Sequence, residues 1–503
     1  MSRIGALTLR DALLDDGSFL SWDEPPLDVA TSPKYRKELA DAAAATGLDE
    51  AVVTGEGRVL GRRVALVACE FDFLAGSIGV AAAERITAAV RRATAERLPL
   101  LASPSSGGTR MQEGTVAFLQ MVKIAAAVEL HKRTHLPYLV YLRHPTTGGV
   151  FASWGSLGHV TAAEPGALIG FLGPRVYEHL YGEPFPSGVQ TAENLQRHGV
   201  IDAVVPLDLL RSTLDRALKV VSDPPGNPPP PPEPESLADI PAWRSVEASR
   251  RPDRPGVGDL LRHGTTDRVL LSGSGGRGAA STTVLALARF GGQPAVVLGQ
   301  QRVVGGLGSF PGRSAPALRV GPAALREARR GMALAAGLKL PLVLVIDTAG
   351  PALSAEAEQG GLAGEIARCL ADLVTLDTPT VSVLLGQGSG GPALAMVPAD
   401  RVLCALHGWL APLPPEGASA IVFRDVDHAP ELAAAQGIRS ADLLRDGIVD
   451  AIVPEHPDAA DEPEQFTRRL SDTIADELHR LRSVPDEQRL AARFERYRRI
   501  GLR

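Results

Sequence analysis

The 503 residues exceed what one hydrophobic core organises, so two or more domains are expected. With 45% hydrophobic and 22% charged residues the chain is too apolar to be disordered, and a net charge of −6 excludes the basic surface that nucleic acid or an acidic membrane selects. Three scattered cysteines (Cys69, Cys369 and Cys404) exclude a four-ligand zinc ribbon and a disulfide scaffold, and no apolar run reaches membrane-spanning length, so a cytoplasmic chain without a metal is expected.

In chain order, RRVALVACEFDF (62–73) predicts a strand, followed by a turn around Gly76 and a helix from Gly79 to Arg97. LPLLASPSSGG (98–108) is a second strand and turn, leading to a helix from Gln112 to Arg133. LPYLVYL (136–142) and ALIGFLG (167–173) follow as strands, and TAENLQRHG (191–199) as a helical stretch before HGVIDAVVP (198–206). DPPGNPPPPPEP (223–234) then places eight prolines in twelve residues, a composition that extends as polyproline II and continues neither helix nor sheet. The expected division is therefore an N-terminal domain over 1–222, a Pro-rich linker over 223–258 and a C-terminal domain over 259–503.

The second half repeats the grammar of the first. GQPAVVLGQ (292–300) predicts a strand, Pro322–Gly337 a helix, LPLVLVIDTAG (340–350) a strand, Gly361–Leu376 a helix, and TPTVSVLLG (378–386) a strand. DGIVDAIVP (446–454) echoes HGVIDAVVP, each after a similar helical stretch. Leu136 and Thr378 lie 242 residues apart, and His198 and Asp446 lie 248 apart. The same order and spacing for several motifs marks a duplicated fold, and apolar strands alternating with amphipathic helices mark an α/β architecture.

The feature that carries chemistry is a strand ending in paired glycines that open a helix. Ser106-Gly107-Gly108-Thr109-Arg110 and Thr146-Thr147-Gly148-Gly149 occur in the first half, and Gly388-Ser389-Gly390-Gly391-Pro392 is the counterpart of the latter in the second. Such turns let the backbone approach a ligand and aim N–H groups at a negative oxygen. A single pair makes only a tight turn; its repetition in both halves is what points to function. G-x-S-x-G and Walker A patterns are absent. His131 and His135 lack an acidic third ligand and read as surface residues. Glu113, Glu365 and Glu416 are acid–base candidates whose ordinary role is an exposed helix or turn carboxylate. Asp347 either meets a ligand at the sheet edge or caps the next turn.

SGGTRMQEG, LPYLVYLRHPTTGGVFASWGSLG and AEPGALIGFLGPRV resemble the β-type carboxyltransferase subunit of bacterial acetyl-CoA carboxylase. LPLVLVIDTAGP, GQGSGGPALAM, LPPEGASAI and DGIVDAIVPE resemble the α-type subunit, so the whole chain resembles the fused β/α proteins of the acyl-CoA carboxylase β-subunit family, the actinobacterial type above all. The resemblance implies two tandem crotonase-like (ClpP/crotonase ββα-spiral) domains, the first for acyl-CoA and the second for carboxybiotin, meeting across a homo-oligomer. It implies carboxyl transfer from biotin on a separate carrier protein, charged by a biotin carboxylase, to acetyl-CoA or a short acyl-CoA, giving malonyl-CoA for fatty acid biosynthesis. The cofactor then carries the hard step and the protein supplies two oxyanion sites. On this resemblance Gly107 and Gly108 are assigned to the thioester oxygen, Gly390 and Gly391 with Pro392 to the biotin ureido oxygen, and Ser106, Thr109, Arg110, Gly148 and Gly149 to substrate binding.

Three departures stand out. The four-cysteine zinc ribbon of the β-type subunit is missing, Pro392 has no N–H to donate, and GGLGSFPGRSAPALRVGP (305–322) is unlike the family's segment. Two alternatives follow: a malonyl-thioester decarboxylase subunit with the same paired fold, and a low-activity scaffold subunit of a carboxylase complex.

Overall fold

The computed structural model describes residues 3–29, 32–230, 235, 237–271, 282–301 and 319–502. The chain divides into two compact units, Met1–Ser222 and Asp223–Arg503. In the first, β1 (Val52–Val59) and β2 (Arg62–Cys69) form an antiparallel hairpin with Val52 opposite Cys69. β3 (Leu100–Ser103), β4 (Tyr138–Leu142) and β5 (Val160–Ala163) then add in parallel. Parallel neighbours need crossovers, and α1 (Val80–Ala95) and α2 (Gly114–Arg133) supply the first two. β4 leads on to a short helix, α3 (Gly148–Phe151).

Both faces of this sheet are covered. Val67, Leu100 and Val140 pack with Ile86, Val90, Ile124 and Val128 of the crossover helices on one side. Leu66, Leu101 and Tyr141 pack with Leu210, Leu214 and Leu218 on the other. Two-sided burial is the reason LPLLAS and LPYLVYL are continuous apolar runs and do not alternate.

The second unit repeats the plan. Hairpin strands β6 (Thr283–Phe290) and β7 (Gln293–Gln300) precede parallel β8 (Leu342–Thr348), β9 (Thr380–Ser389) and β10 (Arg401–Ala405). The helices are α4 (Pro322–Leu338), α5 (Leu362–Val374) and the short α6 (Gly390–Leu394). Leu100 pairs with Tyr138 as Leu342 pairs with Thr380, so the sequence repeat is a structural one. These are two tandem crotonase-like ββα-spiral units of the α/β class.

The stretch 223–258 differs from a plain linker. It lies in the second unit, where the Arg289 guanidinium donates to the Asp223 and Pro224 carbonyls. It also contains a helix, Ala242–Ser249, whose Ala242 and Val246 pack beside Trp409. The apolar i, i+4 pair in a polar segment was the local signal for it. Residues 231–234 of the proline run and 305–318 of the unusual segment lie outside the described residues.

Candidate active site

In the first unit, two turns close on each other beyond the ends of β3 and β4. Ser106 N–H donates to the Pro145 carbonyl at 2.7 Å, and Thr147 N–H donates to the Ser106 carbonyl at 2.9 Å. Gly108 has φ +110°, a conformation that L side chains rarely adopt, and a Cβ built there would stand 3.6 Å from Gly149 N and 3.7 Å from Gly148 Cα. The missing side chain is thus the space in front of the Gly149 amide. Ile78 N–H donates to the Gly108 carbonyl and Arg110 N–H to the Ile78 carbonyl, at 2.9 and 3.0 Å, which stitches the first turn down on its far side.

Counting donors corrects one expectation. Gly107 N–H donates to the Ala75 carbonyl at 2.9 Å, and Gly108 N–H to Ser106 Oγ at 3.0 Å. Neither is free for a thioester oxygen in this structure; these glycines and the buried Ser106 give the crevice its shape. The Thr109 and Gly149 amides donate to no group among the described residues. Gly149 lies at the start of α3, where backbone N–H groups have no intrahelical partner. The uncommitted donors therefore come one from each turn.

The second unit holds the same construction. Gly350 has φ +115°, its N–H donates to Thr348 Oγ1 at 3.1 Å, and its carbonyl accepts from Val320 N–H at 3.1 Å. Ala352 N–H closes the stitch on the Val320 carbonyl at 2.9 Å. Gly390 has φ +68°, as Gly148 has φ +63°. The structural counterpart of Gly107–Gly108 is therefore Ala349–Gly350, and that of Gly148–Gly149 is Gly390–Gly391. The Gly391 amide donates to no group among the described residues, and neither does the Ala349 amide. Two prolines remove others: Pro351 stands where Thr109 stands, and Pro392 where Val150 stands. Pro392 is buried, and its carbonyl accepts from Gln300 Nε2 at 3.0 Å.

Arg110 presents no guanidinium to a ligand. It is 0% exposed and makes two hydrogen bonds to Glu50 and one to the Ser77 carbonyl. Burial opposes its charge, but Glu50 outweighs that and holds the Arg110 pKa above its ordinary value. Glu113 accepts from the Tyr35 hydroxyl and from Val80 N–H, and burial together with that bond pushes the Tyr35 pKa up to about 12. Arg110, Glu50, Tyr35 and Glu113 form a buried frame behind the Gly108 turn. Glu50 and Tyr35 were missed in the sequence because they lie far upstream, with no motif around them.

The other candidates are also occupied. Glu365 pairs with Arg326, Arg329 and Arg368. Glu416 pairs with Arg250, whose hydrogen bonds hold its pKa below the usual range. Asp347 is buried and accepts from Gln387 N–H at 3.0 Å, so it braces β8 against β9. His131 is buried, not on the surface, with Nδ1 against the Thr94 hydroxyl; His135 is exposed. Burial pushes the Cys69 thiol up to about 11 and Cys369 up to about 12, so neither is a nucleophile at neutral pH. What the two crevices have in common chemically is backbone N–H groups.

Known proteins are similar to this chain in sequence and in fold. A protein from Mycobacterium tuberculosis described as a probable biotin-dependent acyl-coenzyme A carboxylase beta3 subunit is 76% identical over 502 residues, covering 100% of this chain and 99% of its own length. The acetyl-coenzyme A carboxylase carboxyl transferase subunits beta/alpha of Salinispora arenicola are 37% identical over 99% of this chain and 91% of theirs. Among solved structures, transcarboxylase 12S superposes with a TM-score of 0.75 at 21% identity, covering 94% of this chain and 88% of its own. That likeness supports the fold. The carboxyl transferase domain family matches residues 5–491, and the chain belongs to that family.

Proposed function

We propose that this chain is the carboxyltransferase component of a biotin-dependent acyl-CoA carboxylase, with acetyl-CoA or another short acyl-CoA as acceptor. The observation that carries the reading is the duplicated crevice, one in each unit, with a spare amide donor at Gly149 and at Gly391. Two substrates whose carbonyl oxygens gain charge in one transfer call for two such sites. The first unit takes the thioester: the Thr109 and Gly149 amides hold its oxygen, and Gly108 leaves room for the acyl carbon. The frame of Arg110, Glu50, Tyr35 and Glu113 keeps that turn from relaxing, so the donors are aimed before substrate arrives.

The second unit takes the biotin of a separate carrier protein. Its residues fit a ureido group: the Gly391 amide, the space over Gly350, and the buried Ser389 hydroxyl, which has no partner among the described residues. When bound, that cofactor supplies the transferable carboxyl group. The protein's own work is to orient the two oxygens and stabilise charge on them. Malonyl-CoA is the product with acetyl-CoA, and fatty acid biosynthesis is its use.

The test is incorporation of labelled bicarbonate into a panel of acetyl-, propionyl- and longer acyl-CoA esters, with carrier, carboxylase and ATP added. Incorporation highest with acetyl-CoA is the expected result. Turnover of malonyl thioester without incorporation would instead establish the decarboxylase alternative. Neither activity, with intact carboxylase assembly, would establish the scaffold.

A further inference from the structure

The two crevices are built alike but stocked differently. Where the first has Thr109 and Val150, each with an N–H, the second has Pro351 and Pro392, with none. Among the described residues the Gly391 amide donates to no group. Beside it stands a group the first crevice uses otherwise. Thr147, the first-unit counterpart of Ser389, turns its Oγ1 onto the Ser106 carbonyl at 3.4 Å. Ser389 is 0% exposed, and its Oγ has no hydrogen-bond partner among the described residues. A Cβ at Gly350 would stand 3.3 Å from that oxygen, in the position where the same atom at Gly108 faces the Gly149 amide. A buried hydroxyl without a partner forfeits hydrogen bonding that water would supply, so a native site that keeps one gains from it elsewhere.

We infer that Ser389 is a ligand-binding residue of the second unit, its hydroxyl donating with the Gly391 amide to the ureido oxygen. This rests on the reading that the second unit takes biotin. The donor lost to proline from the backbone returns from a side chain. Gln300 serves it indirectly: by donating to the Pro392 carbonyl it fixes the turn on which Ser389 and Gly391 stand. A hydroxyl also differs from an amide in being both donor and acceptor, so it follows an oxygen whose charge changes during transfer.

The experiment uses the full chain with free biotin as probe. Biotin affinity is read by NMR titration, and carboxyl transfer from malonyl-CoA to free biotin by product formation, for wild type, Ser389→Ala and Ser389→Thr. Ser389→Ala is expected to weaken biotin binding at least tenfold and to lower kcat by about 10²-fold, the usual effect of losing one oxyanion donor. The KM for malonyl-CoA stays within about twofold, since the thioester crevice is untouched. Ser389→Thr, which keeps the hydroxyl as Thr147 does, stays within about threefold of wild type. Wild-type biotin affinity and rate in Ser389→Ala overturn the assignment alone, and so does Ser389→Thr being as impaired as Ser389→Ala. A wild type that neither binds biotin nor transfers to it overturns the biotin reading and this assignment with it. If Ser389→Ala proves unfolded by circular dichroism, Ser389→Cys, close in volume and a weak donor, is read by the same outcomes.

Discussion

Gly149 is the residue on which the thioester reading is most exposed to test, because donor and space can be separated there. A Cβ at Gly149 would meet Met121 Cγ at 3.5 Å and Thr109 Oγ1 at 3.6 Å, ordinary contacts, so Gly149→Ala keeps the N–H and should stay within a few-fold of wild type. Gly149→Pro removes the N–H in the first turn of a helix, where proline is otherwise tolerated, and should lower kcat by about 10²-fold. Steady-state transfer with acetyl-CoA distinguishes them. A second residue-scale prediction concerns pH. His159 is buried, accepts from Tyr138 N–H at 3.1 Å through Nδ1, and burial lowers its pKa from 6.5 to about 3. The unfolded chain therefore takes up a proton that the folded chain refuses. The stability this residue contributes is complete above about pH 6.5 and is lost as pH falls toward 3, by about 1.4 kcal/mol per pH unit. His159→Asn keeps an acceptor for Tyr138 N–H without titrating. Urea unfolding between about pH 7.5 and 5 should show the variant losing about 2 kcal/mol less stability than wild type over that interval.

Among the elements, the turn from β3 into α2 is held by its buried frame, and removing one member of a buried ion pair costs more than the pair contributes. Glu50→Leu leaves the Arg110 charge without its carboxylate and should destabilise the protein by about 3–5 kcal/mol. Adding Arg110→Met to Glu50→Leu should recover most of that loss, as a urea double-mutant cycle would show. The same turn shows what was legible in the sequence. Its existence was, because Gly108 sits between an apolar strand and an amphipathic helix, where a chain reversal needs a residue without Cβ. Its donors were not, because which amide stays free depends on Ala75 taking Gly107 N–H and on the Ser106 hydroxyl taking Gly108 N–H. One is a contact made by a distant segment and the other a side-chain rotamer; neither leaves a mark on local sequence. The strands were legible for a simpler reason, since burial on both faces writes itself as an unbroken apolar run. The helix Ala242–Ser249 was hidden by the prolines before it.

At the scale of the whole molecule, duplication preserved the frame and let the donors diverge. Positive-φ glycines, stitched carbonyls and capped turns recur in both units, whereas Thr109 and Val150 became Pro351 and Pro392 in the second. Proline at these places still permits the turn, because the N–H it removes had no intrahelical partner to lose. The fold therefore tolerated the change while the set of backbone donors did not stay the same. If the units are divided between two substrates, each should be quieted by its own ligand alone. Hydrogen exchange followed by mass spectrometry can read this on the intact chain, since an amide that donates to a bound oxygen exchanges more slowly. Acetyl-CoA at saturation should slow exchange at least threefold in peptides spanning 105–115 and 146–152, and leave 347–353 and 388–395 unchanged. Free biotin should do the reverse. Pro351 and Pro392 carry no exchangeable amide, so protection in the second unit should centre on Gly391. Equal protection of both units by one ligand would mean that the two crevices had not specialised, and that their prolines reflect drift and not a division of substrates.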